Sequence, residues 1–338
     1  MPRTLARVLT AAADMPAAQW DACAGTDNPF TMHAFIAALE ASGSATARTG
    51  WQPAHIVVDD AQGVPLGILP AYLKSHSQGE YVFDQGWADA WERAGGRYYP
   101  KLQCSVPFTP ATGPRLLLRD ATAAPALLAA AEALAVQNRL SSVHATFLTP
   151  GQQALFAAQG WLMRTGEQFH WSNEGYGDFG DFLAALSSRK RKAIRKEREA
   201  ALADGLMVVH LTGAAITEAH WDAFWTFYQD TGQRKWGRPY LTRAFFSQVG
   251  AAMGDRVLLM LAMRGDVPIA GALNFVGSDC LYGRYWGARE DVPFLHFELC
   301  YYQAIDWAIA HGLARVEAGA QGAHKLARGY RPVATVSA

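Results

Sequence analysis

The last third of the chain holds residue types that move protons between an amine and a carbonyl. Glu317 closes a β-rich run, His296 and Glu298 open an apolar helical run, and Arg284, Tyr285 and Trp286 end another β-rich run. A carboxylate or imidazole of near-neutral pKa takes a proton from an amine. A tyrosine hydroxyl or a free backbone N–H holds the oxyanion of a tetrahedral intermediate. His296 and Glu317 are therefore the candidate bases, and Tyr285 is the candidate donor. His296 and Glu298 stand two apart and face different ways on a regular helix, so they reach one cleft only if the first turn is irregular. Glu298 also suits the positive end of a helix dipole, and Glu317 suits a salt bridge to Arg315. Gln321, His324 and Lys325 follow in a turn of small residues that lets backbone approach a ligand.

A second group of candidates binds by charge. Arg189, Lys190, Arg191, Lys192, Arg195, Lys196 and Arg198 place seven cations in ten residues. The spacing predicts a helix with Arg191, Arg195 and Arg198 on one face. Such a face is either solvated or a seat for phosphates. In the first half, Tyr81, Asp84, Tyr99 and Lys101 combine aromatic and charged character, which suits a substrate with sugar or peptide faces and charge.

The chain must position these groups with 338 residues, half of them hydrophobic and 18% charged. That is the length of two domains with packed cores and not the composition of a disordered chain. Lys plus Arg equals Asp plus Glu at 30 each, so attraction to an anion is local. Cys23, Cys104, Cys280 and Cys300 lack metal or redox spacing, and neither a metal nor a redox cofactor is expected. No signal peptide or spanning run is read, so a cytoplasmic protein is expected.

The elements occur twice. Residues 8–23 (VLTAAADMPAAQWDAC) match 209–224 (VHLTGAAITEAHWDAF), aligning Trp20 with Trp221. Each copy continues with a short amphipathic helix (33–39 and 243–249) and a hairpin (54–73 and 257–276), aligning Pro65 with Pro268. An apolar helix and strand follow (126–147 and 299–319), then a short helix ending in Gly-aromatic before a last strand. The first copy carries extra residues 79–102, rich in Tyr and Trp, read as a binding insertion or a lid. The predicted domains are 1–175 and 206–338, with the basic helix bridging them in 176–205. Mixed, mostly antiparallel sheets flanked by helices are predicted for both, an α/β (α+β) class.

This order resembles the GNAT N-acyltransferase fold, and two such units joined by a basic helix resemble the Fem peptidoglycan aminoacyltransferases. GEYVFD, YYPKLQ, PFTPATGPRLL, SSRKRKAIRKER, FELCYYQAIDWAIAHGL and EAGAQGAHKLARGY resemble the FemAB-like family of peptidoglycan biosynthesis or recognition. The resemblance departs at Ala323, where the family pattern GAQGEHK has a carboxylate. It also implies a second unit shortened at Ala338, where the pattern continues into a His-Trp segment. What it implies is acyl or aminoacyl transfer to an amine acceptor such as a peptidoglycan precursor, with no tightly bound cofactor. The donor is an aminoacyl-tRNA or an acyl-CoA. The phosphates facing the basic helix would be those of tRNA, of a nucleotide-linked precursor, or of a polyprenyl head group at a membrane surface, and not DNA. An acetyl-CoA enzyme needs a glycine-rich phosphate cradle. The corresponding stretches hold one glycine each, Gly287 beside Glu290 and Asp291, and Gly113. The alternatives are an acetyl-CoA-dependent N-acetyltransferase and a non-catalytic recognition protein. The chemistry is expected in the second copy and the acceptor in the first.

Overall fold

Proline bends the first hairpin. In the computed structural model, which describes residues 5–236, 239–320 and 322–338, the early strands are β1 (Leu5–Leu9), β2 (Trp51–Pro53), β3 (His55–Asp59), β4 (Pro65–Leu69) and β5 (Tyr72–Lys74). Pro53 closes β2, and Pro70 separates β4 from β5. Neither can donate a ladder hydrogen bond. The first copy therefore has two four-stranded sheets where one was expected. With β6 (Lys101–Cys104), β7 (Leu117–Leu118) and β8 (Val143–Ala145), the orders are β1-β3-β4-β7 and β2-β5-β6-β8. The pairs are antiparallel except β6 with β8, which is parallel. The helix Ala124–Gln137 supplies the crossover and buries Leu127, Leu128 and Ala131 in a core with Ile56, Leu69, Leu102 and Cys104.

The remaining strands are β9 (Arg164–Ser172), β10 (Leu206–Thr212), β11 (Val257–Arg264), β12 (Val267–Val276), β13 (Cys280–Ala288), β14 (Arg315–Glu317) and β15 (Arg331–Ser337). They form one sheet in the order β10-β11-β12-β13-β14-β9-β15, in which β13 and β14 are parallel. The crossover helix between these two runs through Leu295–Phe297, a π turn Glu298–Tyr302, and Gln303–Ala310. The repeat is visible in the core, where Trp20 and Trp221 are both buried.

Contacts divide the chain into two units, one of residues up to Gly166 together with Ala334–Ala338, the other Glu167–Val333. The sequence placed its boundaries at 175 and 205. The division falls earlier because β9 hydrogen-bonds to β14, pairing Trp171 with Val316 and His170 with Glu317. The basic helix Ser188–Ala201 accordingly lies inside the second unit. The closing residues lie in the first, where Ala145 and Ala338 exchange two N–H···O bonds of 2.7 Å. The last strand of the first copy thus serves the second unit, and the chain's closing residues serve the first.

Candidate functional site

In the second unit, β13 and β14 form a fork. Their ladder ends at Tyr282 opposite Glu317, while β13 continues along β12 to Ala288. Beyond Tyr282 the edge of β13 that faced β14 is released from the ladder. Asn274 pairs with Gly283 and Leu273 with Tyr285, so Arg284 is the extra residue of a β-bulge beside the fork. A Cβ placed on Gly283 would lie 3.4 Å from Asn274 Oδ1 and 3.6 Å from the Glu317 carbonyl, which puts these groups together.

Glu317 is buried, and its Oε2 has no hydrogen-bond partner. His170 Nε2 lies 3.9 Å from that oxygen, and Arg315 Nε lies 3.5 Å from the other. Burial raises the Glu317 carboxyl to about 7, against the pull of Arg315 and Arg284. Burial also lowers His170 to about 4, with Arg315 and Lys325 adding to the shift. Lys325 is one of the binding candidates. It is buried, donates to the Gly319 carbonyl at 2.8 Å, and is lowered by burial to about 8. The fork therefore collects a carboxyl, two cations and a neutral imidazole, and of these Glu317 and Lys325 change charge near neutral pH.

The other candidates of the second unit lie elsewhere. The irregular first turn exists, as a π turn, but it separates its two residues. Glu298 is fully buried and held by Arg198 at 3.0 Å and Gln303 at 2.7 Å, so it anchors the basic helix. The His296 ring packs edge-on to Trp286 and lines a cavity of about 410 Å³ with Phe294, Glu290 and Asp291. Tyr285 is buried edge-on against Tyr228. Gly287 belongs to β13, where a Cβ would come within 2.2 Å of the Phe227 carbonyl, so helix packing explains this glycine. His324 Nε2 is 2.8 Å from the Tyr301 hydroxyl. Gln321 lies outside the described residues.

The basic helix is less uniform than its sequence. Arg191 donates to the carbonyls of Leu183, Ala184 and Leu186 at 3.1 to 3.4 Å, closing the preceding helix Phe179–Ala185. All three of these bonds are made by Nη1. Arg189, Lys192, Arg195 and Lys196 are exposed.

In the first unit, one face of the sheet β2-β5-β6-β8 is polar and buried. Leu102 and Cys104 point into the apolar core, so Lys101 and Gln103 point the other way. Register adds Trp51, Tyr72, Lys74 and His144 to that face. The insertion covers it and brings countercharge. Lys101 Nζ donates to Glu80 at 2.8 Å, Asp84 at 2.7 Å and Ser77 at 3.0 Å. Burial pushes Asp84 up, but Lys101 and the hydrogen bonds prevail and hold it at about 2. Burial lowers Lys74 to about 7, its Nζ sitting 3.6 Å over the Trp51 ring. Tyr99 donates to or accepts from Ser77 at 2.7 Å, and Tyr81, between them in the chain, has left-handed backbone at φ 60°. Asp84 and Lys101, both binding candidates, are thus partners of each other.

Three comparisons bear on this architecture. No curated protein matches the chain in sequence. Among solved structures, that of FemX aligns with a TM-score of 0.58 at 12% identity, over 96% of this chain and 95% of its own. The C-terminal domain of a lysylphosphatidylglycerol synthetase from Agrobacterium fabrum aligns at 0.55 with 11% identity, over 89% and 91%. L-PGS from Bacillus licheniformis aligns at 0.53 with 10% identity, over 88% and 77%. A family model described as peptidoglycan biosynthesis/recognition matches residues 11–338. The chain belongs to the FemAB-like family. The mixed sheets flanked by helices expected from the sequence are present in this FemAB-like chain, and the fold is like that of FemX.

Sequence reading missed several members of these sites, among them His170, Asn274 and Lys74. His170 was the least accessible, since its partner strand is remote, Asn173 bonding to Leu313 across 140 residues. Lys74 carried a readable signal, a lysine in an otherwise apolar strand. Among the described residues, no three His, Cys, Asp or Glu side chains converge as metal ligands would, and no helix is long and apolar enough to cross a membrane.

Proposed function

We propose that this FemAB-like chain is an N-acyltransferase of the Fem type, joining an aminoacyl group to the amine of a peptidoglycan precursor at the β13–β14 fork. The observation that carries the reading is Glu317, a buried carboxyl with one unpartnered oxygen where parallel strands part. In this scheme the acceptor nitrogen bonds to the acyl carbon, and the Glu317 carboxylate takes the proton the nitrogen loses. Released N–H groups of β13 face the developing oxyanion. Lys325, cationic below about 8, supplies positive charge beside it. The donor oxygen leaves with a proton as the amide forms. Tyr285 and His296, packed against aromatic rings, act as walls of the site in this scheme.

An aminoacyl-tRNA donor is favoured over acyl-CoA by two features. The loop after β13 presents Glu290 and Asp291, which repel a diphosphate. Arg189, Lys192, Arg195 and Lys196 offer exposed charge to a polyanion. The test is turnover of a charged tRNA with a nucleotide-linked muropeptide, beside acetyl-CoA as an alternative donor. The expected result is amide formation from the charged tRNA only, with Glu317→Gln slower by about a hundredfold or more. Amide formation from acetyl-CoA alone, or a Glu317→Gln variant as fast as the parent, overturns the reading.

A further inference from the structure

The first unit contains a cavity of about 650 Å³ beneath the 79–102 insertion. Its lining joins two chemistries. Asp84, Tyr98, His144, Ser142 and Thr146 bring polar groups to it. Burial lowers His144 to about 4, so it is a neutral ring, and its Nε2 is 2.8 Å from Ser142 Oγ. Three indoles, Trp87, Trp91 and Trp161, also line it.

Two of these indoles are left largely uncovered by the protein. Trp87 and Trp91 lie four apart on the helix Gln85–Arg93 and are 70% and 57% exposed. That spacing sets both on one face of the helix. Trp91 is backed by Gly96, where a Cβ would fall 2.2 Å from its Nε1. Trp161 is fixed by its hydrogen bond to Glu132 at 2.7 Å. Exposed, positioned aromatic surface at a cavity mouth marks a binding site.

We infer that this cavity binds a sugar ring, stacked on Trp87 and Trp91 with its hydroxyls toward Asp84, Tyr98 and His144. A pyranose has a C–H face for an indole and a rim of hydroxyls for a polar floor. An acyl chain would cover the indoles but strip water from a carboxylate and several hydroxyls with nothing in return. Immediately behind the floor, Gln103 is fully buried with both amide atoms unpartnered. Polar capacity on this face of the sheet therefore exceeds what the protein alone satisfies. The assignment rests on the transfer reading only in naming the sugar as part of the acceptor.

The test is equilibrium binding to the full chain, followed by tryptophan fluorescence and calorimetry. The probes are N-acetylglucosamine, N-acetylmuramoyl dipeptide, palmitate and phosphatidylglycerol vesicles. The saccharides should bind and quench the fluorescence, and Trp87→Ala or Trp91→Ala should weaken them by about tenfold, the scale of a ring contact. Both residues are exposed, so circular dichroism should be unchanged. Palmitate or vesicles binding in place of the saccharides would overturn the inference, as would saccharide affinity indifferent to both substitutions. Glu317→Gln separates the two readings. It should keep saccharide binding intact, and if it also kept full turnover the transfer reading would fall while the sugar site stood.

Discussion

Glu317 and Lys101 are both buried charges, but only one has its countercharges in place. Lys101 meets two carboxylates and a hydroxyl within 3.0 Å, whereas Glu317 has a distant imidazole and an oblique guanidinium. Removing Lys101 leaves two buried carboxylates without their partner. Lys101→Met should therefore destabilise the chain by about 3–5 kcal/mol in thermal or urea unfolding. A shift under 1 kcal/mol would mean that the cluster opens to water. Glu317 behaves in the opposite way with pH. Its folded carboxyl holds a proton up to about 7, well above the ordinary value of 4.5. The folded state therefore binds this proton more tightly than the unfolded state. The stability it contributes is full below about 4.5 and is lost as pH rises through about 7. The transfer rate should move the other way, rising through about 7 as the base form appears. Glu317→Gln should flatten both profiles, measured as initial rate and midpoint temperature from pH 5 to 9.

The hairpins, the paired helices and the order of elements in both copies were legible because local pattern dictates them. Asp60, for example, accepts from the N–H groups of Gln62 and Val64 at the first hairpin turn. The split of the first sheet was written at Pro53 and Pro70 but needs the hairpin register before it can be read. The site was half legible. Glu317, Arg284 and Lys325 are neighbours through strand ends and a bulge that sequence can suggest. His170 joins them through a pairing that no local signal announces. The basic helix shows the same limit, since charge alone does not separate Arg191 and Arg198 from exposed Lys192 and Lys196. Arg198 holds Glu298 at the π turn, and its guanidinium also lies 4.4 Å from the Phe179 ring. Arg198→Ala should cost several kcal/mol, and in a double-mutant cycle Glu298→Gln should recover much of that loss. Lys192→Ala with Lys196→Ala should leave the midpoint temperature within about 1 °C while weakening tRNA binding and its salt dependence.

The first unit is not a continuous stretch of chain. Residues 334–338 belong to the first unit, where Leu148 N–H donates to the Val336 carbonyl at 2.7 Å and Phe147 N–H to Ser337 Oγ. Deleting these five residues should remove hydrogen-exchange protection from residues 143–148 while leaving β11 and β12 protected. Equal protection with and without them would refute their part in that sheet. The same arrangement governs the order of events during synthesis. The Phe147–Ser337 bond joins residues 190 apart, so a ribosome has translated the whole second unit before the first can close. Until then β8 presents an unpaired edge, the feature most prone to mispairing in a nascent chain. Cotranslational folding of this protein is therefore retroactive: a segment made before the second unit is completed by one made after it.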